Sequence, residues 1–364
     1  MPTPRKHHYV PKSYLAAWTD TGTVDGQLQV IDKSTGRAWA VRPINAAKET
    51  DLYMIEVSEV DGEVAATEIE TTFGAIEDEA MPIIKRMLAA ENMVTGKDRE
   101  NVMMFLAALV VRVPSRLNWI DDVMRKPVEM VYRQLEAEGK LRSSNPELDA
   151  KIKEWFDKGL IKIEIKQNAR LGMMASMLPT LLDLLMARQW AVLRTQPDAG
   201  DLICTDHPVL LEWIKRAPLG ESPGFGLENT AVFVPIGPSA ALFGLWDAEP
   251  TDPMMTRDQV AFWNGQLLGC VHRFVFSRGD FSALHKNDEV HRRDDVIRCW
   301  AKSQSDLAIK GGRPPVTSPP ATKRPIGLPS RHSDCLMAST HTNIAASADK
   351  SGDGERDASE CGAN

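Results

Sequence analysis

Residues 101–111 read NVMMFLAALVV, a stretch without a single charge, and the residue that follows it is Arg112. Entered through Asp98 and ended or kinked at Pro114, the segment reads as a strongly apolar helix that belongs in a core. A guanidinium at the end of such a run cannot stay unpaired, because a buried charge without a partner costs several kcal/mol. The fold therefore has to bring an anion to Arg112, preferably one that it can grip with two hydrogen bonds.

A helix predicted from Thr67 offers that anion. Ile69, Phe73, Ile76, Ala80, Ile84 and Met87 form one apolar stripe, which Pro82 is expected to kink. At about 100° per residue, Glu68, Asp78 and Glu79 fall on the outer face, whereas Glu70 and Glu77 lie within about 60° of Phe73, inside or beside the stripe. Two acids thus point inward and call for a cation, a metal or hydrogen-bond donors. Arg112 is the candidate partner, and two readings stay open: a salt bridge between helices, or a carboxylate pair with a function.

The chain has 364 residues and a formal net charge of -7, enough length for one large body and a charge balance that disfavours bulk attraction to nucleic acid. The organisation expected is α+β. A docked leader and a hairpin (GQLQVIDKSTGRAWAVRP) over residues 1–55 form a small N-terminal β unit, followed by a helical centre over 56–190 and a strand-rich part over 191–300. The globular body ends near residue 308, and the Pro-, Gly- and Ser-rich remainder, 309–364, is expected to be a disordered tail. The longest uncharged stretches fall short of the roughly 20 residues that span a bilayer, so no membrane partner is expected and the location expected is cytoplasmic. Five scattered cysteines without a CxxC pair read as free thiols.

Two further stretches stand out. The leader RKHHYVPKSYL carries tyrosines and histidines that an untethered terminus would lack. On an extended segment only one of His7 and His8 faces a given pocket. His8 is assigned that role, with Arg5, Lys6 and Lys12 as a small cationic patch for a phosphate-bearing ligand. The second stretch is DLICTDHPV, a strand that leaves through a sharp turn at Pro208. It places Asp206, exposed at the strand's end, either as a ligand or catalytic group or as an Asx-type turn former.

Read together, HHYVPKSYL, ETDLY, IETTFGAIEDEAMPIIKRM, RVPSR, ICTDHPV and WNGQLLGCVHRFVFS occur in an order that resembles the bacterial family catalogued as domain of unknown function 4238, over residues 5 to about 279. The chain departs from that family's usual pattern at Trp18 and His207. The resemblance implies no activity, so the chemistry rests on the residues.

Two classes of function fit. In a hydrolase, with a metal-dependent nuclease as one form, His8, Glu70, Glu77 and Asp206 supply acid, base or ligand groups around a divalent metal, and Arg5, Lys6, Lys12 and Arg112 bind an anionic substrate such as nucleic acid. In a non-catalytic binding or regulatory module, the same polar residues hold the leader and helices together. The hydrolase is the expectation carried forward. No HNH, HExxH, P-loop, GxSxG or Rossmann fingerprint decides between them.

Overall fold

A computed structural model describes residues 5–56, 67–89, 92–161, 163–214, 221–247, 253–285 and 289–309; the expected tail lies outside these. The class is α+β. The leader forms β1 (Lys6–His8) and a single turn, α1 (Lys12–Leu15), and the hairpin forms β2 (Leu28–Asp32) and β3 (Arg37–Val41). Asp32 fixes the hairpin turn by accepting from the backbone and hydroxyl of Ser34, at 2.7 and 2.6 Å. Gly36 closes the turn at φ +64°, where a side chain would be strained. A short strand, β4 (Lys48–Thr50), then pairs antiparallel with β1.

The hairpin and the leader do not make one N-terminal β unit. The hairpin pairs through β2 with a strand from the far end of the body, and β1 pairs only with β4. Sequence alternation identifies strands but does not choose their partners, which are set by non-local contacts.

The helical centre consists of α2 (Glu68–Ala89), α3 (Gly96–Val111), α4 (Pro114–Ala137), α5 (Pro146–Asp157) and α6 (Gln167–Met186). The apolar run is α3, buried from Phe105 through Val111. Thr95 rather than Asp98 occupies its N-cap position, and Asp98 pairs with Arg86 instead. Pro114 does not bend this helix but starts the next one, at a position where its missing N–H has no intrahelical partner to lose. By length and composition α6 alone among the described helices could cross a membrane, while α3 and α4 pass only as a pair bent by 65°. The helix outruns the apolar stretch seen in the sequence because it continues through Arg170 and Asp183 at its ends; it packs on α3 through Leu171, Met174, Leu181 and Leu185.

The strand-rich part supplies β5 (Gln189–Thr195), β6 (Cys204–Thr205), β7 (Leu210–Trp213), β8 (Thr230–Gly237), β9 (Ala240–Leu245) and β10 (Met254–Met255). After these come α7 (Arg257–Cys270), β11 (Phe274–Ser277), β12 (Ser282–Leu284), β13 (Val290–Arg292) and α8 (Arg293–Ile309). Five strands in the order β10-β5-β9-β8-β7 form the larger sheet, and β3-β2-β11-β6 form a second.

Every residue of β8 and β9 is buried, so the larger sheet is covered on both faces. Val232, Val234 and Ile236 point into the helical core, and Phe233 points into a second core, where it stacks on Trp263 of α7 with centroids 4.2 Å apart. The close seat of α7 depends on Gly265, whose absent Cβ would lie 2.2 Å from the carbonyl oxygen of Leu284 in β12. Gly265→Ala must push backbone rather than a flexible side chain, and is expected to cost about 2 kcal/mol in urea denaturation. An unchanged midpoint would mean that α7 and β12 can separate freely.

Candidate functional site

The leader, α2 and the end of α3 meet at Arg112. Its side chain is 1% exposed. Nη1 donates to Oε1 of Glu77 at 2.7 Å, and Nη2 donates to the backbone carbonyl of His8. The guanidinium lies 4.6 Å from the ring centre of Phe73 and 6.0 Å from that of Tyr53, and the Tyr53 hydroxyl donates to Arg112's own carbonyl. Of the two inward acids it is therefore Glu77 that neutralises the arginine, with Ser13 in reach of its other oxygen at 3.4 Å.

Glu70 behaves differently. It is half-buried, one carboxylate oxygen is sealed from solvent without a hydrogen-bond partner, and burial pushes its pKa up against the pull of Arg112 and His7.

The assignment of the two histidines is reversed. His7, not His8, is the inward ring: it is fully buried, stacks on Tyr53 at 5.6 Å and accepts the Tyr53 backbone N–H through Nδ1 at 2.8 Å. The pairing of β1 with β4 sets His7 opposite Glu49 and His8 opposite Lys48, which fixes the parity, and a three-residue strand has too little alternation of its own to reveal it. The leader is zipped to β4 at both ends. Tyr9 donates its N–H to the Ala47 carbonyl, and Asp51 donates its N–H to the Arg5 carbonyl; among the described residues Ala47 and Asp51 are the two non-glycine residues at positive φ, +47° and +57°.

His8 lies on the outer side with Lys6, Lys12 and Lys48. Its Nε2 is 3.2 Å from the Ile44 carbonyl. Its pKa is pushed down to about 4 by burial first, with Lys48, Lys12 and Arg112 adding to the effect. Lys48 donates to Ile44 and Asn45, both at 2.9 Å. Arg5 is neutralised by Asp51 in a two-pronged pair, with Nε to Oδ1 at 3.0 Å. Lys6 and Lys12 are exposed and, among the described residues, have no carboxylate at ion-pair distance; Glu70 is within electrostatic reach of Lys12.

Asp206 is not exposed at a strand end; it is 3% exposed. Its carboxylate accepts the backbone N–H groups of His272, Arg273 and Phe274 at 2.9, 2.5 and 2.8 Å, which ties the end of β6 to the start of β11. Burial raises its pKa and the three amides oppose that rise. The turn itself is held by Thr205, whose hydroxyl accepts from His207 N and donates to His207 O. Next to it, His207 Nδ1 lies 3.2 Å from Ser115 Oγ. Its pKa is lowered to about 4 by burial, then by Arg116 and His272.

The structure thus gathers His8, Lys12, Glu70, Glu77 and Arg112 around the leader and leaves Asp206 in a separate, structural post. Among the described residues no group of three His, Cys, Asp or Glu side chains is arranged to hold a metal ion, so the expected divalent cation finds no described ligand set. Tyr53, His7, Lys48, Ser115 and Arg116 carry parts that sequence reasoning had not given them. The strings ETDLY and RVPSR contain three of these five, and that was the available signal.

The family comparison agrees with the resemblance. The model for Protein of unknown function (DUF4238) matches residues 6–281, and the chain belongs to that family. No curated protein matches, and no solved structure matches.

Two outcomes follow from this geometry. Arg112→Ala strands Glu77 and frees the His8 carbonyl, so it should cost about 3 kcal/mol by chemical denaturation, whereas Glu68→Lys on the outer face of α2 should cost under about 0.5. Equal small losses would contradict the burial of the pair. The histidine shifts set a pH dependence. The unfolded His207 binds its proton near its ordinary pKa of about 6.5, and the folded one only near pH 4. The unfolded state therefore holds more protons in between, and stability must fall as pH drops through that window. His207→Gln should flatten this slope in pH-dependent melting, and an unchanged slope would count against a buried neutral imidazole.

Proposed function

We propose that the chain is a binding module for a phosphate-bearing anion, with the outer side of the leader as its contact face. One observation carries this reading: Lys6 and Lys12 are exposed on the same side as His8, and among the described residues neither has a carboxylate at hydrogen-bond or ion-pair distance, while Arg112, Glu77, Asp206 and Arg5 are spent on holding the structure. In a protein of net charge -7 a local cationic face concentrates an anion that the whole molecule does not attract. Nucleic acid is one such ligand, held weakly and with marked salt dependence when only a few phosphates are contacted.

The test is fluorescence anisotropy with a labelled single-stranded DNA and its RNA counterpart at low and physiological salt. A Lys6→Glu/Lys12→Glu double variant should bind at least about tenfold more weakly and lose part of the salt slope. Binding that survives the double change moves the contact elsewhere.

Glu70 favours a second reading, hydrolysis of such a ligand. A carboxyl raised by burial, with one oxygen unbonded and Lys12 within electrostatic reach, is suited to act as a general acid beside a bound phosphate. Cleavage of the same oligonucleotides that disappears in Glu70→Gln would establish this reading, and a wild type that binds without turnover would remove it.

A further inference from the structure

Six arginines among the described residues, Arg99, Arg112, Arg116, Arg170, Arg188 and Arg293, are withdrawn wholly or partly from water, and each has its Nε sealed off without a hydrogen bond. Five of them are accounted for through their Nη atoms: Arg99 donates to the Met186 and Arg188 carbonyls, Arg170 to Asp121 and Gln167, and Arg293 to Asp294 and Gln29. Arg112 has Glu77 and the His8 carbonyl. Arg188 donates to the Thr230 and Phe225 carbonyls at 2.7 and 2.8 Å and to the Thr230 hydroxyl at 2.8 Å.

The sixth, Arg116 in the first turn of α4, has none of this. It is half-buried, burial lowers its pKa, and among the described residues its side chain has neither a hydrogen bond nor a carboxylate partner; its guanidinium lies 5.1 Å from the ring centre of Trp119 and within electrostatic reach of His207. A guanidinium remains protonated at any ordinary pH, so its desolvation must be offset by an anion or left as a loss of several kcal/mol. A cation–π contact at an exposed ring recovers only a small part of that.

The neighbouring side chains supply what an oxyanion needs. Ser115 and His207, from the segments RVPSR and TDHPV, are joined through Oγ and Nδ1 at 3.2 Å, and both are half-buried, so they border solvent as Arg116 does. Either tautomer leaves this pair one donor to spare. If Ser115 donates to Nδ1, the imidazole keeps its Nε2–H. If Nδ1–H donates to Ser115, the hydroxyl hydrogen is free. A fixed positive fork with an adjacent N–H or O–H donor is the donor set of a phosphate site.

We propose that Arg116, Ser115 and His207 form a binding site for a phosphate group, inorganic or as a phosphomonoester. The site is distinct from the leader face and does not depend on that reading. Binding neutralises Arg116 and leaves the Asp206 brace untouched.

The test uses the full chain in a buffer free of oxyanions. Inorganic phosphate and adenosine monophosphate are titrated at constant ionic strength against sodium acetate, with melting temperature and the ring resonances of His207 as readouts. Phosphate, the monophosphate or both should raise the melting temperature saturably, and the His207 pKa should climb as the anion cancels the charge of Arg116; a response to the monophosphate alone assigns the site to esters. Arg116→Met and Ser115→Ala should weaken the response at least about tenfold, and Glu68→Lys, on the outer face of α2 and outside both proposed sites, should keep it. Arg116→Lys, which keeps the charge and loses the fork, serves where the methionine variant does not fold. A wild type indifferent to both phosphate ligands, an equal response to acetate, or a phosphate response that persists in Arg116→Lys and Arg116→Met would overturn the assignment.

Discussion

The ion pair between Arg112 and Glu77 is the constraint on which the placement of the leader depends. It is formed at the junction of two helices, one of which contributes an apolar face and the other an apolar run; Arg112 is sealed from water at 1% exposure, while Glu77 at the edge of the stripe keeps 18%. Once the pair is buried, the second Nη of Arg112 still needs an acceptor, and the nearest chain to provide one is the leader, through the His8 carbonyl. The N-terminal segment is therefore drawn in by backbone rather than by the side chains that make it conspicuous. A bond to a carbonyl tolerates any side chain at that position, which leaves His8 itself outside the requirement.

The aromatic residues of the leader add a different kind of attachment. Tyr14 donates to the carbonyl of Pro235 in β8, and Trp18 donates to that of Leu202 at 2.8 Å. Both reach the strand-rich part of the chain, so the leader links the helical core to the sheets. Each polar tip finds a carbonyl while the ring is fully buried, which is how a Tyr or Trp enters a core without an unsatisfied donor. The sheet beneath divides the interior: β8 and β9 turn alternate side chains to the helices and to α7, and their unbroken apolar sequences are the consequence of having no wet face.

What could be read in advance was whatever a local period or a local conflict determines. The stripe on α2, the burial of α3, the hairpin turn and the demand of Arg112 for an anion are all set by residues within a few turns of one another. Misreadings arose where distant contacts decide. The parity of β1 follows from β4, some forty residues on. The burial of Asp206 follows from amides at 272–274, which no pattern near TDHPV announces. The helix α5 went unread although Leu148, Ile152, Trp155 and Phe156 recur at helical spacing; none of its residues is buried, and it meets α4 through contacts such as Tyr132 with Phe156 at 4.2 Å. Arg116 shares the string RVPSR with Arg112, yet only Arg112 interrupts an apolar run, so the conflict that singled out one arginine was silent about the other.

The carboxylates show how satisfaction by partners separates a structural group from an available one. Glu77, Asp206 and Glu70 were equal candidates as residue types, and all three are at least half-buried. Glu77 has a cation, and Asp206 has three amide donors that serve it as a charge would, at no cost in side-chain entropy. Removing a donor from either leaves a charge uncompensated, so both are fixed by stability alone. Glu70 sits in the field of Arg112 but has no bond to it, whereas Glu77 and the His8 carbonyl each take one Nη. A carboxyl in that position can take up or release a proton without dismantling the fold, a freedom that the two satisfied carboxylates lack.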